Sequence, residues 1–383
     1  MSALGGARDT RDERELLTAR MLAAISAAGL TAPSPGASWD ALALEVFRFQ
    51  HRAIPAYGRW CESRGVGPEQ VETPWQIPAV PTEAFKHLLL FAGEAGDATR
   101  IFRTSGTSRA SERGAAYFTP PGLALMDAAI DVRARQMLFP DLERARFLVL
   151  APPPESDPER IMSYGIRRLV ETFGRGDGSF FVGPTGLDLE AATDAILVAA
   201  RANVPVTIAG ATSALAAVLG CLSSRGAPAE LPAGSRVMHA GGRKRDMDPV
   251  DAGLLREQVA RSLGIPPELC VNLLGMTELA SQLYDDTIRA RTAGEPARRG
   301  KVPPPWCRTW VTDPDSREPL PPGELGLLRH LDLANVERPV CVQTDDLGVT
   351  FPDGSFEILG RAAGAQARGC ALDVEEWRTS EAP

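Results

Sequence analysis

The stretch Leu273-Leu274-Gly275-Met276-Thr277-Glu278-Leu279 places a hydroxyl and a carboxylate directly after an apolar run, Cys270 to Leu274, that reads as a buried strand. Gly275 lets the backbone turn tightly where a side chain would clash. In open α/β sheets ligands sit outside the carboxyl ends of the strands. A hydroxyl and a carboxylate at that place suit a phosphate and its Mg²⁺, which prefers carboxylate and phosphate oxygens. Gly-x-Thr-Glu also occurs as a plain turn leading into a capped helix, so its weight comes from the other stretches of the chain.

Four further stretches carry polar groups in useful places. Arg103-Thr104-Ser105-Gly106-Thr107-Ser108-Arg109 clusters hydroxyls around a glycine, a composition that wraps phosphate oxygens with side-chain and backbone donors. It is not a P-loop, because GxxxxGK[ST] occurs nowhere in the chain. His239-Ala240-Gly241-Gly242-Arg243-Lys244 follows a strand candidate, and two glycines there permit close approach by a flat ring or a phosphate. On residue type alone, His239 reads as a wall residue sooner than a catalytic one. Gln343-Thr344-Asp345-Asp346-Leu347-Gly348 reads as a strand end, where a carboxylate can accept hydrogen bonds from two ribose hydroxyls. Gly360-Arg361 ends the last strand candidate, and Cys370 follows near Arg368, which with Arg361 would favour a thiolate. The plain alternatives are a surface loop, a strand-to-loop turn, a hairpin turn and an idle thiol.

These stretches need elements to position them. Residues 12–28 carry Leu17, Met21, Ile25 and Ala28 at helical spacing, and 39–63 form a second helical stretch broken at Pro55. From about residue 100, strand-length apolar runs (Arg146–Ala151, Val204–Ala209, Arg236–Ala240, Cys270–Leu274) alternate with helical ones (Pro121–Leu138, Pro158–Phe173, Asp188–Ala202, Thr212–Ser224, Pro249–Leu263). That alternation predicts an α/β fold with a largely parallel sheet flanked by helices. After about 300 the pattern shifts to short strands and turns: Trp306–Thr312, Leu325–Leu331, Pro339–Gln343 and Phe356–Leu359. The expected organisation is a helical N-terminal region over 1–95, an α/β core over 96–300, a β-rich subdomain over 301–361 and a tail over 362–383 with Cys370.

Composition narrows the function classes. The chain has 383 residues, 44% of them hydrophobic, with a formal charge of −8 that is unpromising for nucleic-acid binding. No apolar run has membrane-span length, and Met1 to Glu15 lacks a signal-peptide core, so no membrane insertion and a cytoplasmic location are expected. Six scattered cysteines without CxxC pairs argue for reduced thiols and against a zinc site. Lys86, Lys244 and Lys301 are the only lysines among 41 basic residues, which limits any lysine-dependent step to three candidates.

The order of these stretches resembles that of adenylate-forming enzymes, and most closely the acyl-protein synthetase (LuxE) family with its phenazine-biosynthesis relatives. The resemblance runs from about residue 74. It is carried by Ile77 to Pro81 with Phe85-Lys86, Phe102 to Thr107, His239 to Lys244 and Gly275 to Leu279. It is most specific in Asp332-Leu333-Ala334-Asn335, Thr344 to Gly348 and Arg368-Gly369-Cys370-Ala371-Leu372. It implies the N-terminal-domain fold of an adenylate-forming (ANL superfamily) enzyme, and a ligase that activates a fatty or aryl acid with ATP as an acyl-adenylate. By the same resemblance Thr104, Ser105, Gly106 and Thr107 would hold the β- and γ-phosphates. Gly241, Gly242 and Arg243 would line the adenine site, and Gly275 and Met276 would belong to the nucleotide turn. Thr277 would contact the α-phosphate, Glu278 would hold Mg²⁺, and Asp346 with Arg361 would take the ribose. Cys370 would accept the acyl group and pass it to a partner acyl reductase. Transfer to coenzyme A, a carrier protein or an amine is the alternative, and a non-catalytic nucleotide-binding homologue is the second. The sequence departs from the wider pattern in Ser108-Arg109-Ala110-Ser111, where a lysine is usual, and in Leu274, where an aromatic ring is usual. The large mobile C-terminal domain with its catalytic lysine is expected to be missing, since no lysine follows Lys301.

Overall fold

The computed structural model describes residues 2–27, 37–104, 113–226, 228–241 and 252–362. In chain order the helices are α1 (Ser2–Ala27), α2 (Ala37–Ala53), α3 (Pro55–Ser63), α4 (Pro120–Met137), α5 (Ile161–Phe173), α6 (Leu189–Arg201), α7 (Thr212–Ser224), α8 (Ala252–Leu263) and α9 (Ile288–Ala293). The strands are β1 (Val80–Pro81), β2 (Arg100–Arg103), β3 (Ala115–Phe118), β4 (Arg146–Leu150), β5 (Ser179–Phe180), β6 (Val182–Gly183), β7 (Gly186–Leu187), β8 (Val206–Ala211), β9 (Arg236–Ala240), β10 (Cys270–Leu274), β11 (Leu283–Asp286), β12 (Arg298–Val302), β13 (Cys307–Thr312), β14 (Gly326–Asp332), β15 (Cys341–Thr350) and β16 (Phe356–Arg361). They fall into two units. The first takes in Met1–Ala129, Met276–Ser281 and Pro303–Pro383, and the second Ile130–Gly275 and Gln282–Val302.

The second unit is the α/β part. Its strands run in the order β12-β11-β10-β9-β8-β4-β5, parallel from β10 to β5 and antiparallel at β11 and β12. Continuous apolar strands such as Val237 and Met238 of β9 are buried, as parallel strands covered on both faces must be. Gly210 of β8 is required by this packing, because a Cβ there would lie 2.4 Å from the Leu150 carbonyl oxygen of β4. Asp188 caps α6 by accepting a hydrogen bond from the Ala191 N–H at 3.0 Å. Arg236 is fully buried, yet both arms of its guanidinium reach Asp141, at 2.8 and 3.0 Å.

The first unit combines helices α1 to α3 with the antiparallel sheet β13-β14-β15-β16, and β1 adds in parallel to β15. The second helical stretch breaks where expected: α2 ends at Ala53 and α3 starts on Pro55, whose missing N–H costs nothing at a helix start. Arg329 of β14 donates to the Trp75 carbonyl at 2.8 Å and lies 4.4 Å over the Trp75 ring. The N-terminal helices are tied in elsewhere as well, Arg308 of β13 donating to Asp40 of α2 at 2.9 Å.

Two expectations change. The stretch Thr344 to Gly348 does not end a strand but lies inside the ten-residue β15, which pairs with neighbours on both sides. The chain between Gly275 and β11 leads into an antiparallel strand rather than a helix.

Candidate active site

The Gly275 to Leu279 segment leaves the carboxyl end of β10, a parallel strand, as anticipated. Gly275 itself is not there for left-handed backbone: a Cβ would meet nothing within 4 Å, and its φ is not positive. The turn closes with the Leu279 N–H donating to the Met276 carbonyl at 3.2 Å. Thr277 and Glu278 are each 5% exposed.

Burial dominates the chemistry of Glu278. It pushes the carboxyl up from 4.5 to about 7, against the pull of its own backbone N–H. Its charged neighbours in the first unit are Arg361 and Lys86, which favour the carboxylate, and Asp346, which opposes it. Among the described residues its carboxylate has no side-chain hydrogen bond or ion pair. A carboxylate held dry beside two cations and short of partners is poised to bind a cation or a proton.

The neighbours are arranged by the β15–β16 ladder. Asp346 faces Arg361 across the ladder, and Arg361 Nε donates to Asp346 Oδ1 at 2.9 Å. Lys86, on a short 3-10 turn over Thr82–Lys86, donates to Glu83 at 2.7 Å. Thr104 sits at the neck of the β2–β3 hairpin. Its hydroxyl oxygen accepts the Gly114 N–H at 2.9 Å, and its own N–H donates to the Gly114 carbonyl at 2.8 Å. Ser105, Gly106 and Thr107 lie outside the described residues, as do Gly242, Arg243, Lys244 and Cys370.

In the second unit Gly241 adopts a left-handed φ of +91° at the end of β9. Thr212 fixes it, donating from its hydroxyl to the Gly241 carbonyl at 2.7 Å. The same hydroxyl lies 2.9 Å from Nδ1 of His239. His239 is 3% exposed, and burial, aided by Lys301 and Arg256, presses its ring down to about 3. The imidazole is therefore a neutral wall residue. Behind it Lys301 donates to Asn272 Oδ1 at 2.7 Å and to Asp285 Oδ1 at 2.5 Å. Buried Asp285 and Lys301 form a polar group with the half-buried Asn272; of the three, the sequence reading named Lys301 alone, as one of three lysines.

The other group missed by that reading clasps the Thr277-Glu278 segment. Asn335 Nδ2 donates to the Glu278 carbonyl at 2.8 Å, and its Oδ1 accepts the Ala280 N–H at 3.0 Å. Asp332 accepts from the Ser281 N–H and hydroxyl, both at 2.8 Å. Asp332 and Asn335 were visible in the sequence as a motif, but without a partner to give them a task. No set of three His, Cys, Asp or Glu that could hold a metal occurs among the described residues. Mg²⁺ needs no such cage when phosphates supply most of its ligands, so Glu278 alone fits the requirement.

A family model described as acyl-protein synthetase, LuxE, matches residues 200–379. The long-chain-fatty-acid–luciferin-component ligases of Vibrio harveyi and Aliivibrio fischeri are each 22% identical to this chain. The matches cover 88% of it and 86% and 87% of the two relatives. Among solved structures, 2-hydroxyisobutyryl-CoA ligase in complex with 2-HIB-AMP superposes with a TM-score of 0.64 at 14% identity, over 85% of this chain and 68% of that one. Its open conformation with 2-HIB-AMP and CoA gives 0.62 at 13%, over 84% and 69%. The fold is that of an adenylate-forming ligase, and the match over residues 200–379 makes that part of the chain similar to the acyl-protein synthetase, LuxE, family.

Proposed function

We propose that this protein activates a fatty or aryl carboxylic acid with ATP and transfers the acyl group to a thiol, its own Cys370 first and a partner acyl reductase next. The observation that carries the reading is the buried Glu278, held near neutrality beside Lys86 and the Asp346–Arg361 pair. The carboxylate oxygen of the acid attacks the α-phosphorus, the bond to the bridging oxygen breaks, and pyrophosphate leaves. Two anions meet in that step, so charge must be neutralised and the groups aligned. Arg361 and Lys86 supply positive charge, Thr277 contacts the α-phosphate, and Asp346 accepts from the ribose hydroxyls. Thr104 to Thr107 cradle the outer phosphates, and Gly241, Gly242 and Arg243 line the adenine. Glu278 would hold Mg²⁺, whose chemistry is to neutralise phosphate charge.

In the second half-reaction a thiolate attacks the acyl carbonyl, and AMP leaves with the electron pair of the broken C–O bond. Four of the five described thiols make poor candidates: burial pushes Cys61 up to about 12 and raises Cys341, while Cys270 and Cys307 are buried. Cys221, on α7, is half-buried, and Cys221→Ser is the control for Cys370→Ser in the test below. Cys370 is the acceptor in this reading by its Arg-Gly-Cys setting. Transfer to coenzyme A is the second reading, favoured by the likeness of fold to a CoA ligase.

Intact-protein mass spectrometry after incubation with ATP, Mg²⁺ and a panel of fatty and aryl acids tests the proposal. The expected result is a hydroxylamine-labile acyl adduct on wild type that is absent from Cys370→Ser, with pyrophosphate released by both and AMP released by wild type as the adduct forms. Release of AMP without an adduct, and acyl-CoA formed when CoA is added, would replace the first reading by the second. Intact ATP with every acid would overturn both.

A further inference from the structure

The N-terminal helices carry no residue of the proposed chemistry, yet one side chain of α2 reaches the scaffold of Glu278. Gln50 is fully buried. Its amide nitrogen lies within hydrogen-bond distance of three backbone carbonyls, those of Asn335, Val336 and Arg338. Its amide oxygen accepts the Val340 N–H at 2.8 Å. Two protons and one acceptor thus hold four backbone groups of residues 335–340, and removing them would strand buried carbonyls without donors.

That loop is the base from which Asn335 works. Both polar atoms of the Asn335 side chain are used twice: Oδ1 accepts from Ala280 N–H and from Arg338 Nη2 at 2.8 Å, and Nδ2 donates to the carbonyls of Glu278 and Pro339. Arg338 is itself fully buried, lying 3.7 Å over Phe118 and donating to the Tyr117 carbonyl at 3.2 Å. The chain of contacts therefore runs from Gln50 to the 335–340 backbone, then through the Asn335 amide to the peptide units on either side of Leu279. All of these groups lie within the first unit.

We propose that Gln50 and Asn335 are positioning residues for Glu278, with α2 fixing the depth at which its carboxylate is held. The proposal rests on the assignment of Glu278 to the adenylation chemistry. A displacement on the order of 1 Å in such a group costs up to about 100-fold in rate. Gln50→Met keeps the volume and removes the four hydrogen bonds. In ATP–pyrophosphate exchange with an accepted acid, this variant is expected to lose at least about tenfold in kcat and to need about tenfold more Mg²⁺, while KM for ATP stays within about threefold. Asp40→Ala is the control, because it unties α2 from Arg308 of β13 and leaves residues 335–340 untouched. It is expected to lower thermal stability and leave kcat and the Mg²⁺ requirement unchanged. Wild-type kcat in Gln50→Met, or equal losses in both variants, would overturn the proposal.

A second readout does not depend on activity. The Ala280 N–H is held by Asn335 Oδ1, so its hydrogen exchange reports the clasp directly. In Gln50→Met it should exchange at least about tenfold faster, and in Asp40→Ala at the wild-type rate. If wild type turns over no acid, the functional reading fails, and this measurement still decides the positioning claim: an unchanged amide exchange rate in Gln50→Met overturns it.

Discussion

Replacing Glu278 by glutamine isolates the cost of burying its carboxylate. The folded protein holds the group at about 7, and its ordinary value is 4.5. Between these values the folded state binds more protons than the unfolded one, so wild-type stability falls as pH rises through this window and levels off above it. A difference of about 2.5 units at 1.36 kcal/mol each is about 3 kcal/mol at pH 8, and under about 1 kcal/mol at pH 5. The amide of Glu278→Gln is the same size and does not titrate. Whatever it gains or loses by its own fit is the same at both pH values. The expected result, from urea unfolding of both proteins without nucleotide or metal, is a stability difference that moves by about 2 to 3 kcal/mol in favour of the variant between pH 5 and pH 8. Added Mg²⁺ with ATP should reverse part of this for wild type only, because binding draws the carboxylate into its charged form. A stability difference that is flat with pH would refute the argument that Glu278 is held dry.

Three other perturbations have defined outcomes. Lys301→Met should destabilise the protein by about 3 to 5 kcal/mol, because Asp285 stays behind as an unpaired buried carboxylate. Adding Asp285→Leu should recover most of the loss, as measured by denaturant unfolding. Burial lowers His330 to about 4 and His239 to about 3, so each ring is charged in the unfolded chain before it is charged in the folded one. In the Glu278→Gln background, where the opposing carboxylate is gone, stability should therefore fall as pH drops below about 6.5, by a few kcal/mol in all, and a flat melting temperature of that variant from pH 7 to pH 5 would contradict this. Asp346→Asn should raise KM for ATP about tenfold or more, since a charged hydrogen-bond acceptor is lost, with kcat within about threefold in pyrophosphate exchange.

Much of the architecture was legible because burial and periodicity agree. Arg236–Ala240, Cys270–Leu274 and Thr212–Ser224 were expected at the bounds they have. The strands that escaped notice are instructive. Leu283–Asp286 and Arg298–Val302 were given no element, and in the structure Asp285 and Lys301 face each other across the β11–β12 ladder and neutralise each other there. A cross-strand ion pair erases the apolar pattern by which a buried strand is recognised. The Asp345-Asp346 pair misled for a related reason, its polarity suggesting a strand end where β15 continues to Thr350. The Thr277-Glu278 pair could be read locally, because both residues share one turn. Lys86, Asp346 and Arg361 could not be assigned as its neighbours by spacing, since only tertiary folding brings them near. Gln50 was illegible altogether: a glutamine on a helix of ordinary composition gives no sign that its contacts lie 285 residues ahead.

The segment Met276–Ser281 also bears on how the protein is made. It is threaded between β10 and β11 of the second unit, yet its clasp belongs to the first. Asn335 leaves the ribosome 57 residues after Glu278, and Gln50 of α2 has by then preceded its partner loop by 285 residues. Until residues 332–340 emerge, the Glu278 carbonyl and the Ala280 N–H lack the Asn335 amide, and Ser281 lacks Asp332. A nascent chain could thus complete the parallel sheet of the second unit while the segment that carries Glu278 was still unclasped, so that the site forms only after residues 332–340 have emerged.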